Sequence, residues 1–187
     1  GHAVIVRVNS RAANTHVNAS VLDSPVTNNF YNVNVPMDTR TAPLSMAAPD
    51  MVARATGSVV AGAFNIFDNI VRANDTLRFY LCGIDPTLDT PGACAAFSVA
   101  PHLDAFWARG VNPYSAYFGG PSTTGLSFYS TGSDKLYILG GINGDIASSD
   151  TDHFDDAVIS HEYGHFIEDH YAKSDSPGGM HDGNHIL

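Results

Sequence analysis

The chain has 187 residues, 44% apolar and 15% charged, which describes a globular protein long enough to bury a core, either as one domain or as a half-domain behind a small β module. Nineteen acidic side chains against nine basic ones leave a net charge of -10, which repels a phosphate backbone and argues against a nucleic-acid partner. No apolar run reaches the ~20 residues of a membrane span, and the N-terminus lacks the charged-then-apolar order of an export signal.

AVIVRVNS, VNASVLD and NFYNVNV carry β-branched residues between Asn, Ser and Pro breaks and read as short strands. The proline-containing stretch that follows has no period, so residues 1–45 read as a β-rich lead-in or the end of a β module. From Met51 to Ala73 a stripe of Val52, Ala55, Val59, Ala63, Ile66, Phe67 and Ile70 predicts a helix. LRFYLCGI then reads as a strand. Cys82 and Cys94 flank a turn-rich segment whose spacing suits a small disulfide-closed loop in an oxidising compartment, or else two unrelated buried thiols.

An irregular aromatic stretch containing Trp107, Tyr114, Tyr117 and Phe118 comes next, and its rings suit core or loop packing. SFYS and KLYILGG, joined by TGSD, predict a hairpin. The final helix spans SSDTDHFDDAVISHEYGHFIEDHYAK, with Asp152 as N-cap, Asp155 and Asp156 in the first turn, and a stop near Lys173 at SDSPGG. Strands, helix, strands, helix is the order of an α+β fold.

His161-Glu162-Tyr163-Gly164-His165 lies on that helix. Residues four apart share one face, about 6 Å along the axis, so two imidazoles can converge on one zinc ion. Glu162, beside the first ligand, can take the proton of a water that the metal acidifies and pass it to a leaving amine. The chain holds only two glutamates, Glu162 and Glu168, and one falls where the motif requires it.

A third ligand is harder to find. Glu168 lies almost two turns beyond His161 and suits an outer carboxylate. The metzincin pattern needs Gly and His where this chain has Glu168 and Tyr171, and His170 falls one residue short. His181, Asp182 and His185 remain as candidates near the end of the sequence. The cluster Asp145, Asp150, Asp152, Asp155 and Asp156 admits calcium, although capping explains several of its members. His153, two turns before His161, reads as exposed.

The stretch from GGINGD through HEYGH to SPGGMHDGNH resembles exported bacterial metallopeptidases of the gluzincin, or thermolysin-like, type, and the likeness extends more weakly back to residue 55. The resemblance implies a zincin-like domain over 46–187, a mixed sheet with an active-site helix, ending before its last ligand. It implies a zinc endopeptidase in which His161 and His165 hold Zn2+, Glu162 is the general base, and the third ligand is a glutamate on a following helix beyond Leu187. A peptide or protein substrate would pair along an edge strand around Lys135–Ile138 in an extracellular, periplasmic or cell-envelope setting. The rival expectations are a zinc-binding but inactive fragment or pseudoenzyme, and an extracellular adhesion module in which the β-rich part does the work.

Overall fold

The computed structural model describes residues 4–14, 17–37, 50–55, 59–82 and 101–172. The β-branched stretches at the start form β1 (Val4–Asn9), β2 (Arg11–Ala13), β3 (Asn18–Leu22) and β4 (Asn32–Met37). β1 and β4 pair antiparallel as a two-stranded ribbon, with Val4 opposite Met37 and Asn9 opposite Asn32. β2 and β3 instead join β5 (Leu103–Phe106), β6 (Phe128–Ser130) and β7 (Lys135–Tyr137) in a five-stranded sheet of order β2-β3-β5-β7-β6. The three central strands run parallel, and β2 and β6 run antiparallel at the two edges. With its helices this makes a mixed α+β fold.

A parallel pair needs a crossover between its strands, and α1 (Val60–Cys82) lies between β3 and β5 in the chain. This helix corrects two expectations: it begins at Val60 rather than Met51, and it takes in residues 77–82, the described part of the segment that reads as a strand. The reason is periodicity. Ala63, Ile66, Ile70, Ala73 and Leu77 all pack on one core at spacings of three and four, whereas a short apolar run taken alone cannot separate helix from buried strand.

Alternation along the strands divides the core in two. Ala19 and Val21 of β3, Leu103 and Ala105 of β5, and Leu136 of β7 face Ile66 and Ile70 of α1 and Ile159, Tyr163 and Phe166 of α3 (Asp156–Tyr171). Leu22, Phe106 and Tyr137 turn to the other face and meet Tyr117 of α2 (Pro113–Phe118). α2 falls in the stretch read as irregular. Asn112 caps its N-terminus, Pro113 follows at a position needing no N–H, and Gly119 ends it at φ 70°. Each fully enclosed Ile, Leu or Phe contributes about 1.5–3 kcal/mol.

The hairpin forms as expected, with Phe128 opposite Tyr137 and Ser130 opposite Lys135. The edge does not fall where the resemblance placed it: β7 lies inside the sheet, its far side taken by β5, and β6 is the edge. Among the described residues no helix is long and apolar enough to cross a membrane. Cys94, and with it the Cys82–Cys94 bridge, lies outside the described residues, as do His181, Asp182 and His185.

Two glycines make opposite predictions. A Cβ on Gly140 would stand 1.9 Å from the carbonyl oxygen of Ala108, a backbone atom that cannot swing away, whereas one on Gly164 would meet nothing within 4 Å. Gly140→Ala is expected to cost about 2–3 kcal/mol or more, and Gly164→Ala, in a helix, to add about 0.5–1 kcal/mol. Urea midpoints check both; an unchanged midpoint in Gly140→Ala would contradict the close approach of the two loops.

Candidate metal centre

α3 starts from Asp155, whose side chain accepts from the N–H groups of Ala157 and Val158, and ends at Ala172. Asp155, not Asp152, is therefore the N-cap. The helix turns Ile159, Glu162, Tyr163 and Phe166 inward, and leaves His161 exposed and His165 half-buried.

The Nε2 atoms of His161 and His165 stand 3.0 Å apart, with ring planes at 89°. Two nitrogens bound tetrahedrally at ~2.0–2.1 Å would be separated by roughly 3.3 Å, so the pair is close to the spacing one zinc ion requires. In the metal-free chain the same separation suits an N–H···N bond between the rings. Glu168 places a carboxylate oxygen 3.6 Å from Nδ1 of His165, beyond hydrogen-bond length. Among the described residues no third histidine or carboxylate joins His161 and His165 in one group of ligand atoms.

Glu162 is only 8% exposed, and one of its oxygens accepts the backbone N–H of Tyr129 at 2.9 Å. Burial, helped by the charge of Asp152, pushes its carboxyl up to about 7, against the hydrogen bond from Tyr129, which pulls it down. A carboxylate poised there can both accept and return a proton near neutral pH.

Asp152, the expected cap, is a buried tie. It accepts the hydroxyl of Ser127 at 2.5 Å, Ser127 Oγ accepts the N–H of Leu139 at 2.8 Å, and Asp152 N–H donates to the Leu139 carbonyl at 2.9 Å. Three segments, before β6, after β7 and before α3, meet at these groups. Burial holds the Asp152 carboxyl above its ordinary range. The acidic cluster is otherwise dispersed: Asp145 binds the N–H groups of Ala147 and Ser148, and Asp156 accepts from Asn65 and Asn69 of α1. Those aspartates do not converge on one cation.

Sequence reasoning also missed the role of Tyr129. Its ring stands edge-on to Phe166, and its hydroxyl donates to Asp169 at 2.9 Å and lies 3.2 Å from Asp134. His170 completes this group through Asp134 at 2.5 Å. A tyrosine in a strand one turn of sequence away from TGSD carries no signal of such contacts. His153, expected to be exposed, is half-buried between the rings of Trp107 and Phe154.

The raised Glu162 carboxyl has a stability consequence. A folded-state value of about 7 against 4.5 means stability that is present below about 4.5 and lost as pH rises through about 7. In the metal-free chain Glu162→Gln should match the parent near pH ~4 and exceed it near pH ~8.5 by up to about 3 kcal/mol. Urea denaturation at both pH values measures this, and a difference that does not change with pH would refute it. No protein-family model matches the chain, and neither the curated proteins nor the solved structures contain a match to it.

Proposed function

We propose that the chain carries the active-site part of an exported zinc metallopeptidase with a zincin-like fold, of gluzincin type, acting on a peptide or protein substrate. The observation that carries this reading is Glu162: a carboxyl 8% exposed and raised to about 7, one residue from a histidine pair whose Nε2 atoms lie 3.0 Å apart. A buried carboxyl with its proton affinity raised beside a histidine pair suits a general base.

His161 and His165 would hold the ion, and zinc so held supplies Lewis acidity towards a water and a carbonyl oxygen. The chain's own groups do the rest. Glu162 takes a proton from the attacking water on one oxygen while Tyr129 N–H fixes the other. The same carboxyl then returns the proton to the amine that leaves. Because Glu162 takes the Tyr129 N–H of the edge strand β6, an extended peptide adding there would pair with the remaining outward backbone groups of this edge.

A second reading, a zinc-binding but inactive fragment, draws on the incomplete ligand group among the described residues. The two separate in one experiment with the purified chain, zinc and a fluorogenic protein substrate. Cleavage that falls by about 10²–10⁴ in Glu162→Gln, with zinc content unchanged, supports the peptidase. His161→Ala and His165→Ala should each lower zinc content by elemental analysis. Zinc retained without Glu162-dependent cleavage selects the inactive reading, and a parent chain that takes up no zinc rejects both.

A further inference from the structure

A cavity of about 210 Å³ lies beyond the carboxyl end of β5, where Trp107 and Arg109 meet Thr151, His153 and Phe154 before α3 and Val59 before α1. None of His161, Glu162 or His165 lines it. Its charge is unusual for this chain, in which acidic residues outnumber basic ones by 19 to 9: Arg109 has no carboxylate partner among the described residues. Burial, then the charge of Arg109, holds the His153 imidazole below its ordinary range.

Two enclosed nitrogens belong to the same walls. Trp107 Nε1 and His153 Nδ1 are buried without a hydrogen-bond partner among the described residues, although Trp107 is only 2% exposed. Buried polar groups are ordinarily paired. The rings that carry them lie 4.9 Å apart, tilted by 40°, and are pressed by the backbone of α1 at Gly62, where a Cβ would stand 2.6 Å from the indole and 2.7 Å from the imidazole. Val59 and Phe154 add apolar surface at the same place, 44% and 50% exposed. A lone arginine, a threonine hydroxyl and apolar walls together favour an acid with a hydrocarbon tail over a neutral amide.

We propose that this cavity binds a small organic carboxylate of roughly amino-acid size, its carboxylate held by Arg109 and Thr151 and its apolar tail against Val59 and Phe154. Both a free acid and the C-terminal residue of a peptide present this chemistry. The site is independent of the metal-centre reading, because it shares no residue with it.

Trp107 is the only tryptophan in the chain, so tryptophan emission, excited to the red of tyrosine absorption, reports on the cavity wall. The full chain is titrated with N-acetyl-leucine, with N-acetyl-leucinamide, and with a short peptide ending in leucine as free acid or amide. The expected result is a saturable change with a free carboxylate, weaker by at least about tenfold for the matching amide and in Arg109→Gln. Arg109→Lys should keep part of the affinity, and Val59→Phe should remove it by filling the tail wall. Binding of the acetylated amino acid identifies a free acid as sufficient; binding of the peptide acid alone identifies a peptide end. No saturable change with any probe, or equal affinity for acid and amide, overturns the site. That comparison uses the parent chain and survives a variant that fails to fold.

Discussion

A carboxyl group buried between a helix and a sheet edge must either keep its proton or find a donor. Glu162 does part of each through one bond, from the backbone N–H of Tyr129, and much of the molecule is arranged so that this N–H is where it is. The donor must belong to an edge strand, because an interior strand would have spent it on the ladder. The strand must also be held in register, which the Ser127, Leu139 and Asp152 contacts do at its beginning. The same tyrosine then anchors its ring on Phe166 and its hydroxyl on Asp169 and Asp134.

The helix contributes its own geometry. At about 100° per residue, His161 and His165 lie some 40° apart around the axis and Glu162 lies about 60° from His165 and 100° from His161. The histidines can therefore face outward while the glutamate, on their margin, is drawn under the edge of the sheet. Burying Ile159, Tyr163 and Phe166 against β3, β5, β7 and α1 sets the helix rotation that makes this division. The two histidines and Glu162 thus differ in solvation although they are neighbours in sequence, and burial raises the proton affinity of the Glu162 carboxyl.

The parts of this arrangement that are local in sequence were legible before any coordinates. The His161–His165 spacing is a property of any helix, the TGSD turn sets the hairpin by itself, and the short strands of the first forty residues are bounded by their own breaks. What was not legible depended on partners far away in the chain. Residues 77–82 needed the stripe from Ala63 onward to be recognised as helix. The edge position of β6 followed from β5 pairing with β7, and β5 is four residues inside an aromatic stretch without alternation clear enough to mark it. Asp152 offered the same capping chemistry as Asp155, and only its burial against Ser127 separates them.

The parallel pairing of β3 with β5 joins Ala19 to Leu103, and everything that supports α3 is built on that pairing. Contacts so distant along the chain repay their loop-closure entropy late, which slows folding relative to a chain of local contacts. On a ribosome, β3 must wait for α1 and β5 to emerge before its sheet can close, while the hairpin and α3 follow at once. The histidine pair can form as soon as its helix does. The glutamate acquires its buried environment only when β6 is in place beside it, so the raised proton affinity of its carboxyl is tied to completion of the fold.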